Sequence, residues 1–190
     1  SPCELTMSLD ELFQRAQLWR GGEVPSAVPG IPTDCDDLDA TLPGGWPRGA
    51  LTEILSPETG IGAMQLLLPA LARLSREQWI VLVAPRHVPY APAFAAAGVQ
   101  LERLLLLQPD QADVCWTMEQ CLRAGCCGAV LTWQEIGAPK QLRRLQLAAE
   151  AGNSWGVLFR SAAHSKESSP AALRLQLQGR EDGLGIQVLK

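Results

Sequence analysis

The residues best spaced for chemistry are Ser56 to Met64, SPETGIGAM, which stand where a strand-to-helix phosphate loop would stand. Upstream, Leu51 to Leu55 reads as a short buried strand, and downstream Gln65 to Leu74 reads as a helix with an apolar face. Such a loop holds phosphate on backbone N–H groups at a helix N-terminus, reaches the outer phosphates with a lysine and fixes Mg²⁺ with a Ser or Thr hydroxyl. In this chain the lysine position is Gly62 and the hydroxyl position is Ala63. Ser56, Pro57, Glu58 and Gly60 keep the outline of the loop, but neither the phosphate charge nor a metal finds a partner, so nucleotide hydrolysis is not expected. Pro69 lies inside the following helix, removes one of its hydrogen bonds and predicts a kink, a second sign that no anion is gripped there.

The elements around the loop alternate. Strand Thr52 to Leu55, helix Ala63 to Arg76, strand Trp79 to Ala84 and helix Ala91 to Ala97 come first. Strand Arg103 to Leu107, helix Ala112 to Ala124, strand Ala129 to Trp133, helix Pro139 to Ala151 and strand Trp155 to Phe159 follow. Continuous apolar strands separated by helices predict a mostly parallel α/β sheet covered on both faces. Leu173, Leu175 and Leu177 alternate with Arg174, Gln176 and Gln178, and Leu184, Ile186 and Val188 alternate after a Gly-bounded turn. This pattern predicts a C-terminal antiparallel hairpin with one wet face.

The 190 residues divide into a helix within residues 1–22, a linker at 23–33 and an α/β domain at 34–190. Ser8 with Glu11 forms a capping box, and Leu9, Leu12, Phe13, Ala16 and Trp19 recur at helical spacing until Gly21 and Gly22. Three prolines and three glycines between Gly21 and Thr33 make the linker. The helix either docks on a partner through Leu12, Phe13, Ala16 and Trp19 or folds back on its own core, because both uses need the same stripe. A short helix from Asp34 to Leu42 and a turn-rich bend from Pro43 to Gly49 lead into the first strand.

Composition narrows the function further. The net charge is −4 and the one tight basic pair is Arg143 with Arg144, which disfavours strong direct DNA binding. Six cysteines without a C-x-x-C pair and two isolated histidines argue against zinc, and the adjacent Cys126 and Cys127 read as small buried hydrophobes. No apolar run is long enough to span a membrane and no signal peptide opens the chain, so a soluble cytoplasmic protein without cofactor or metal is expected. The tryptophans read as core residues with satisfied indoles, with Trp116, Glu119 and Arg123 as an alternative exposed contact face. The polar loop His164 to Ser169 holds one lysine and no aromatic, too little for a DNA contact.

The stretch from Thr33 to Phe159 resembles the ATPase core of the RecA recombinase family. Leu38 and Asp39, GGWPRGALTEI at Gly44 to Ile54, Pro57 and Glu58 carry the likeness, and spacing is kept through His87, Gly98, Val99 and Gln108 to Asp110. The resemblance implies that the Walker lysine falls on Gly62, its threonine on Ala63, the water-activating carboxylate on Arg86 and the Walker B aspartate on Thr132. Arg86 then either stands in as a cation, capping a carbonyl or pairing with Glu58, or is a solvated arginine. Longer blocks resemble the ImuA family of inactive RecA-like accessory proteins, related also to SulA. These are LPGGWPRGALTEIL from Leu42, LVAPRHVPYAPAFAAAGVQLERLL from Leu82, EQCLRAGCCGAVLTW from Glu119, LRRLQLAAEAG from Leu142 and SPAALRL from Ser169.

That resemblance implies a non-enzymatic adaptor of SOS-induced translesion synthesis and mutagenesis. Its implied partners are the polymerase-like ImuB, RecA and an error-prone DnaE-type polymerase (ImuC), and the N-terminal helix would dock on RecA or on a second copy of the chain. Relatives of this type carry a further tail, so a partner-binding segment is expected beyond Lys190. The alternative is a SulA-type division inhibitor that binds FtsZ; the helix and linker before Thr33 favour the adaptor.

Overall fold

The computed structural model describes residues 30–57, 62–181 and 183–190. The helix predicted within residues 1–22, with Leu12, Phe13, Ala16 and Trp19, lies outside them. In chain order the elements are α1 (Asp36–Thr41), β1 (Leu51–Ser56), α2 (Ala63–Leu74), β2 (Trp79–Val83), α3 (Ala91–Ala96) and β3 (Leu104–Leu107). Then come α4 (Val114–Arg123), β4 (Cys127–Thr132), α5 (Pro139–Gly152), β5 (Trp155–Ser161), β6 (Leu173–Arg180) and β7 (Gly183–Val188). The strands form a seven-stranded sheet in the order β3-β2-β4-β5-β1-β6-β7. β6 joins β1 in parallel, with Thr52 opposite Leu173, and β7 alone runs antiparallel. The C-terminal antiparallel hairpin is as expected, and its first strand also extends the parallel sheet.

The sheet separates two apolar cores. On one face Ile54, Leu82, Leu131, Val157 and Leu175 meet Leu67 and Leu71 of α2, Leu38 of α1 and Phe94 of α3. On the other, Val81, Val130 and Leu158 meet Val114, Met118 and Leu122 of α4 and Leu142, Leu145 and Ala149 of α5. Period-two alternation along fully buried strands puts successive residues into opposite cores. Ile31 pairs with Trp46 in an antiparallel bridge, and both Ile31 and Thr33, at the end of the segment read as a linker, are buried in the domain. Trp46 packs at 5.2 Å on Trp155, whose indole N–H donates to Thr52 Oγ1 at 2.9 Å.

Several local expectations change. α2 is continuous through Pro69, which only removes the backbone donor that the carbonyl of the exposed Gln65 would otherwise meet. Cys126 is exposed, whereas burial pushes the Cys127 thiol up to about 12. Arg174, predicted on a wet face, is buried. Glu119, predicted on an exposed face with Trp116 and Arg123, is buried, while Trp116 is 58% exposed. No helix of the described residues is long and apolar enough to cross a membrane.

α4 and α5 approach so closely that a Cβ added at Gly152 would lie 1.8 Å from the carbonyl oxygen of Leu122. That atom belongs to backbone, which cannot swing aside, so Gly152→Ala is expected to cost about 1–3 kcal/mol. Thermal unfolding followed by circular dichroism should show a midpoint lowered by roughly 3–10 °C.

Candidate functional site

In open α/β sheets ligands bind outside the carboxyl ends of the strands, and the sequence-predicted site residues meet at that edge. Ser56 and Pro57 leave β1, Thr132 ends β4, and Arg86 follows β2 by three residues, exposed. Glu58 and Gly60 lie outside the described residues. Gly62 caps α2 with φ +79°, a left-handed conformation that suits glycine, and offers no side-chain cap. Ala63 is buried in the core beneath. A cleft of about 550 Å³ opens beside the loop, lined by Ser56, Pro57 and Gly62 on one side and by Leu177, Arg180 and Leu184 of the β6–β7 hairpin on the other. A Cβ on Gly62 would stand 3.6 Å from Leu184 Cδ2, so an isobutyl group sits against the position where phosphate chemistry needs a cation.

Thr132 has a structural use in place of a metal ligand. It is fully buried, its hydroxyl donates to the Val83 carbonyl at 2.9 Å and it accepts from the Gln134 N–H at 3.3 Å. The hydroxyl thus extends the β2–β4 ladder past its last register pair, Val83 with Thr132. Next to it, Trp133 stacks on Phe159 of β5 at 4.9 Å and 12°. Aromatic area and a strand-tying hydroxyl fill an edge where a metal-bound nucleotide would need carboxylate and space. Among the described residues no group of His, Cys, Asp and Glu is arranged to hold a metal ion.

The strongest polar constellation was missed in the sequence. Glu53, in the middle of β1, is fully buried. Its carboxylate accepts from Arg174 Nε at 2.7 Å, from Arg160 Nη1 at 3.2 Å and from Ser169 Oγ at 2.6 Å. The remaining guanidinium donors of Arg174 bind the carbonyls of His164, Ser165 and Glu167 at 2.8, 3.3 and 2.8 Å. His164 lies 3.1 Å from Glu135 and 2.9 Å from Glu167, and the ring beside Glu167 holds its carboxyl below the usual carboxylate range. The polar segment set aside as a weak DNA contact, part of it a 3₁₀ helix over Ala162–Lys166, is thereby tied onto the sheet. The available signal was two charged residues, Glu53 and Arg160, with apolar neighbours inside predominantly apolar strands; Arg174 sits in an alternating polar strand and gave none.

A family model described as cell division inhibitor SulA matches residues 49–156. The cell division inhibitor SulA of Edwardsiella piscicida is 36% identical over 109 residues, 54% of this chain and 65% of that protein. RecA of Thermus thermophilus is 35% identical over 109 residues, 56% of this chain and 32% of RecA. RecA of Prochlorococcus marinus is 31% identical over 108 residues, 56% of this chain and 28% of RecA. The crystal structure of SulA from Pseudomonas aeruginosa superimposes with a TM-score of 0.46 at 29% identity, covering 58% of this chain and 97% of that one. The chain thus spans less than two thirds of the length of these curated relatives.

Substitutions at two positions test the site. Glu53→Ala leaves two buried guanidiniums facing each other and is expected to cost about 3–5 kcal/mol in urea unfolding, with Glu53→Gln, which keeps acceptor and shape, costing less. Thr132→Asp, which introduces a carboxylate, is expected to destabilise by more than about 1 kcal/mol because the buried charge faces the Val83 carbonyl with only the Gln134 N–H to meet it, and to yield no phosphate release from ATP.

Proposed function

The chain belongs to the SulA family, and on that footing we propose that it works without catalysis, as a protein-binding domain in an SOS-related response to DNA damage. The finer reading is an adaptor in translesion synthesis and mutagenesis, acting in the cytoplasm and bridging ImuB, RecA and an error-prone DnaE-type polymerase (ImuC). Likeness to both SulA and RecA supports the SOS setting. The absence of chemistry at Gly62, Ala63 and Thr132, each of which serves packing or the ladder, supports a non-catalytic role.

The observation that carries protein binding is the sheet edge at β3. A parallel strand normally has both faces covered, yet Leu105 and Leu106, on opposite faces of β3, are 40% and 41% exposed, and Leu101 just before them is 41% exposed. The edge has neither Lys nor Pro within Leu104–Leu107 to discourage pairing. An added strand from a partner would satisfy its open backbone groups and cover the leucines.

A second reading, a division inhibitor acting on FtsZ, is favoured by the match of residues 49–156 to the SulA family model. Residues 30–48 and 157–190 lie outside that match yet complete the core through Ile31, Leu38, Leu175 and Leu177, which favours a role beyond the inhibitor's. The test is capture of purified RecA, ImuB and FtsZ by the full chain with and without ATP. Capture of RecA or ImuB independent of ATP is expected, weakened about tenfold or more by Leu105→Lys with Leu106→Lys, since edge charges oppose strand addition. Capture of FtsZ alone selects the inhibitor, and ATP-dependent capture overturns the non-catalytic reading.

A further inference from the structure

The outer face of α4 and α5, on the side of the sheet away from the phosphate-loop remnant's own helix, gathers charge of one sign around an exposed aromatic. Trp116 on α4 is 58% exposed and Leu147 on α5 is 50% exposed. Lys140, Arg143, Arg144 and Leu147 are exposed along one side of α5, and Trp116 and Arg123 lie two turns apart on α4. Four cations there outnumber the helices' two carboxylates, the exposed Glu150 on α5 and the buried Glu119, which bridges the two helices: Arg144 Nη2 lies 2.5 Å and Arg123 Nη2 3.4 Å from the Glu119 oxygens. Lys140 and Arg143 make no ion pair among the described residues. In a chain of net charge −4 this concentration is local, not a consequence of composition.

We propose that this face docks an acidic protein segment with an apolar anchor, the anchor lying on Trp116 and Leu147 and the carboxylates meeting Arg143, Arg144, Arg123 and Lys140. The inference rests on the reading of the chain as a protein-binding domain and gives it a second, chemically distinct surface. Trp and Arg are the residues most enriched among those that dominate binding energy at protein interfaces. Here Glu119, itself 7% exposed, already fixes Arg123 and Arg144, so less side-chain entropy is lost when a carboxylate arrives. Opposite charge across the contact steers encounter and sets orientation. Single-stranded nucleic acid fits the face less well, because it binds in a groove with successive aromatic platforms, and this is an outward two-helix surface with one tryptophan.

The test uses the full chain and a fluorescein-labelled synthetic helical peptide of Asp and Glu with Leu and Phe at i, i+3, i+4 and i+7, read by fluorescence anisotropy. Oligo-dT and the same peptide with Lys for its acids are the comparison probes. Micromolar binding that weakens with salt is expected, lowered about tenfold by Lys140→Glu with Arg143→Glu and about fivefold by Trp116→Ala. Neither charge change touches Glu119, and unchanged thermal unfolding confirms that the variants fold. The proposal is overturned if the acidic peptide does not bind or binds the variants equally. It is overturned too by tighter binding of oligo-dT through the same residues. Self-association abolished by Asp36→Lys with Asp37→Lys would instead assign the face to the exposed acidic α1 of a second copy. Loss of peptide binding with intact capture of RecA or ImuB would reject this surface alone and leave the proposed function standing.

Discussion

A carboxylate at the centre of a sheet, with no water to solvate it, must be matched almost completely or it destroys the fold. Glu53 is matched: two guanidiniums and a hydroxyl reach its two oxygens. Those partners come from β5, from β6 and from Ser169 in the segment between them, so one side chain of β1 joins three adjacent strands and the segment that connects two of them. The same interaction explains the chain's path after β5. Residues 162–172, which open with the short 3₁₀ helix Ala162–Lys166, run across the sheet, and their carbonyls at His164, Ser165 and Glu167 are satisfied by Arg174, itself oriented by Glu53. The ionic cluster fastens this segment over β1.

This arrangement also separates the candidate site from the fold's stability. Gly62, Ala63 and Thr132 at the carboxyl edge of the sheet form no ion pair with β1; Glu53 ties β1 to its neighbours from the strand's centre. What occupies the edge is chosen for packing. Leu184 lies over Gly62, Trp133 stacks on Phe159, and Thr132 spends its hydroxyl on the β2 carbonyl. Each is a group of low charge that packs or pairs at the edge.

The alternation of strands and helices was legible because apolar runs bounded by Gly and Pro have few other solutions, and bounds such as Pro139 and Trp155 follow directly from it. The parallel joining of β6 to β1 was not legible. The Leu173, Leu175, Leu177 alternation reads equally well for either strand direction, and what decides it is the long-range pairing of Arg174 with Glu53, 121 positions apart. Arg174 looked solvent-facing for the same reason: period two assigns it a face but cannot say that the face is covered by a loop. The degenerate loop was visible position by position, since it is defined by residue type at fixed spacing, whereas the apolar cover that Leu184 gives it depends on a hairpin folding back from the far end of the chain.

Charge distribution links these points to function. Within the sheet, Glu53 and its arginines spend their charge on each other, so the interior shows none of it to a partner. On the α4–α5 face the ratio is reversed: Glu119 is shared by two arginines while Lys140 and Arg143 stand outside the bridge. The β3 edge carries the opposite character, apolar and open along its backbone. α4 lies over β2 and packs its Val114 and Met118 against Val81 and Val83, so the two surfaces meet along one helix rather than on opposite sides of the molecule.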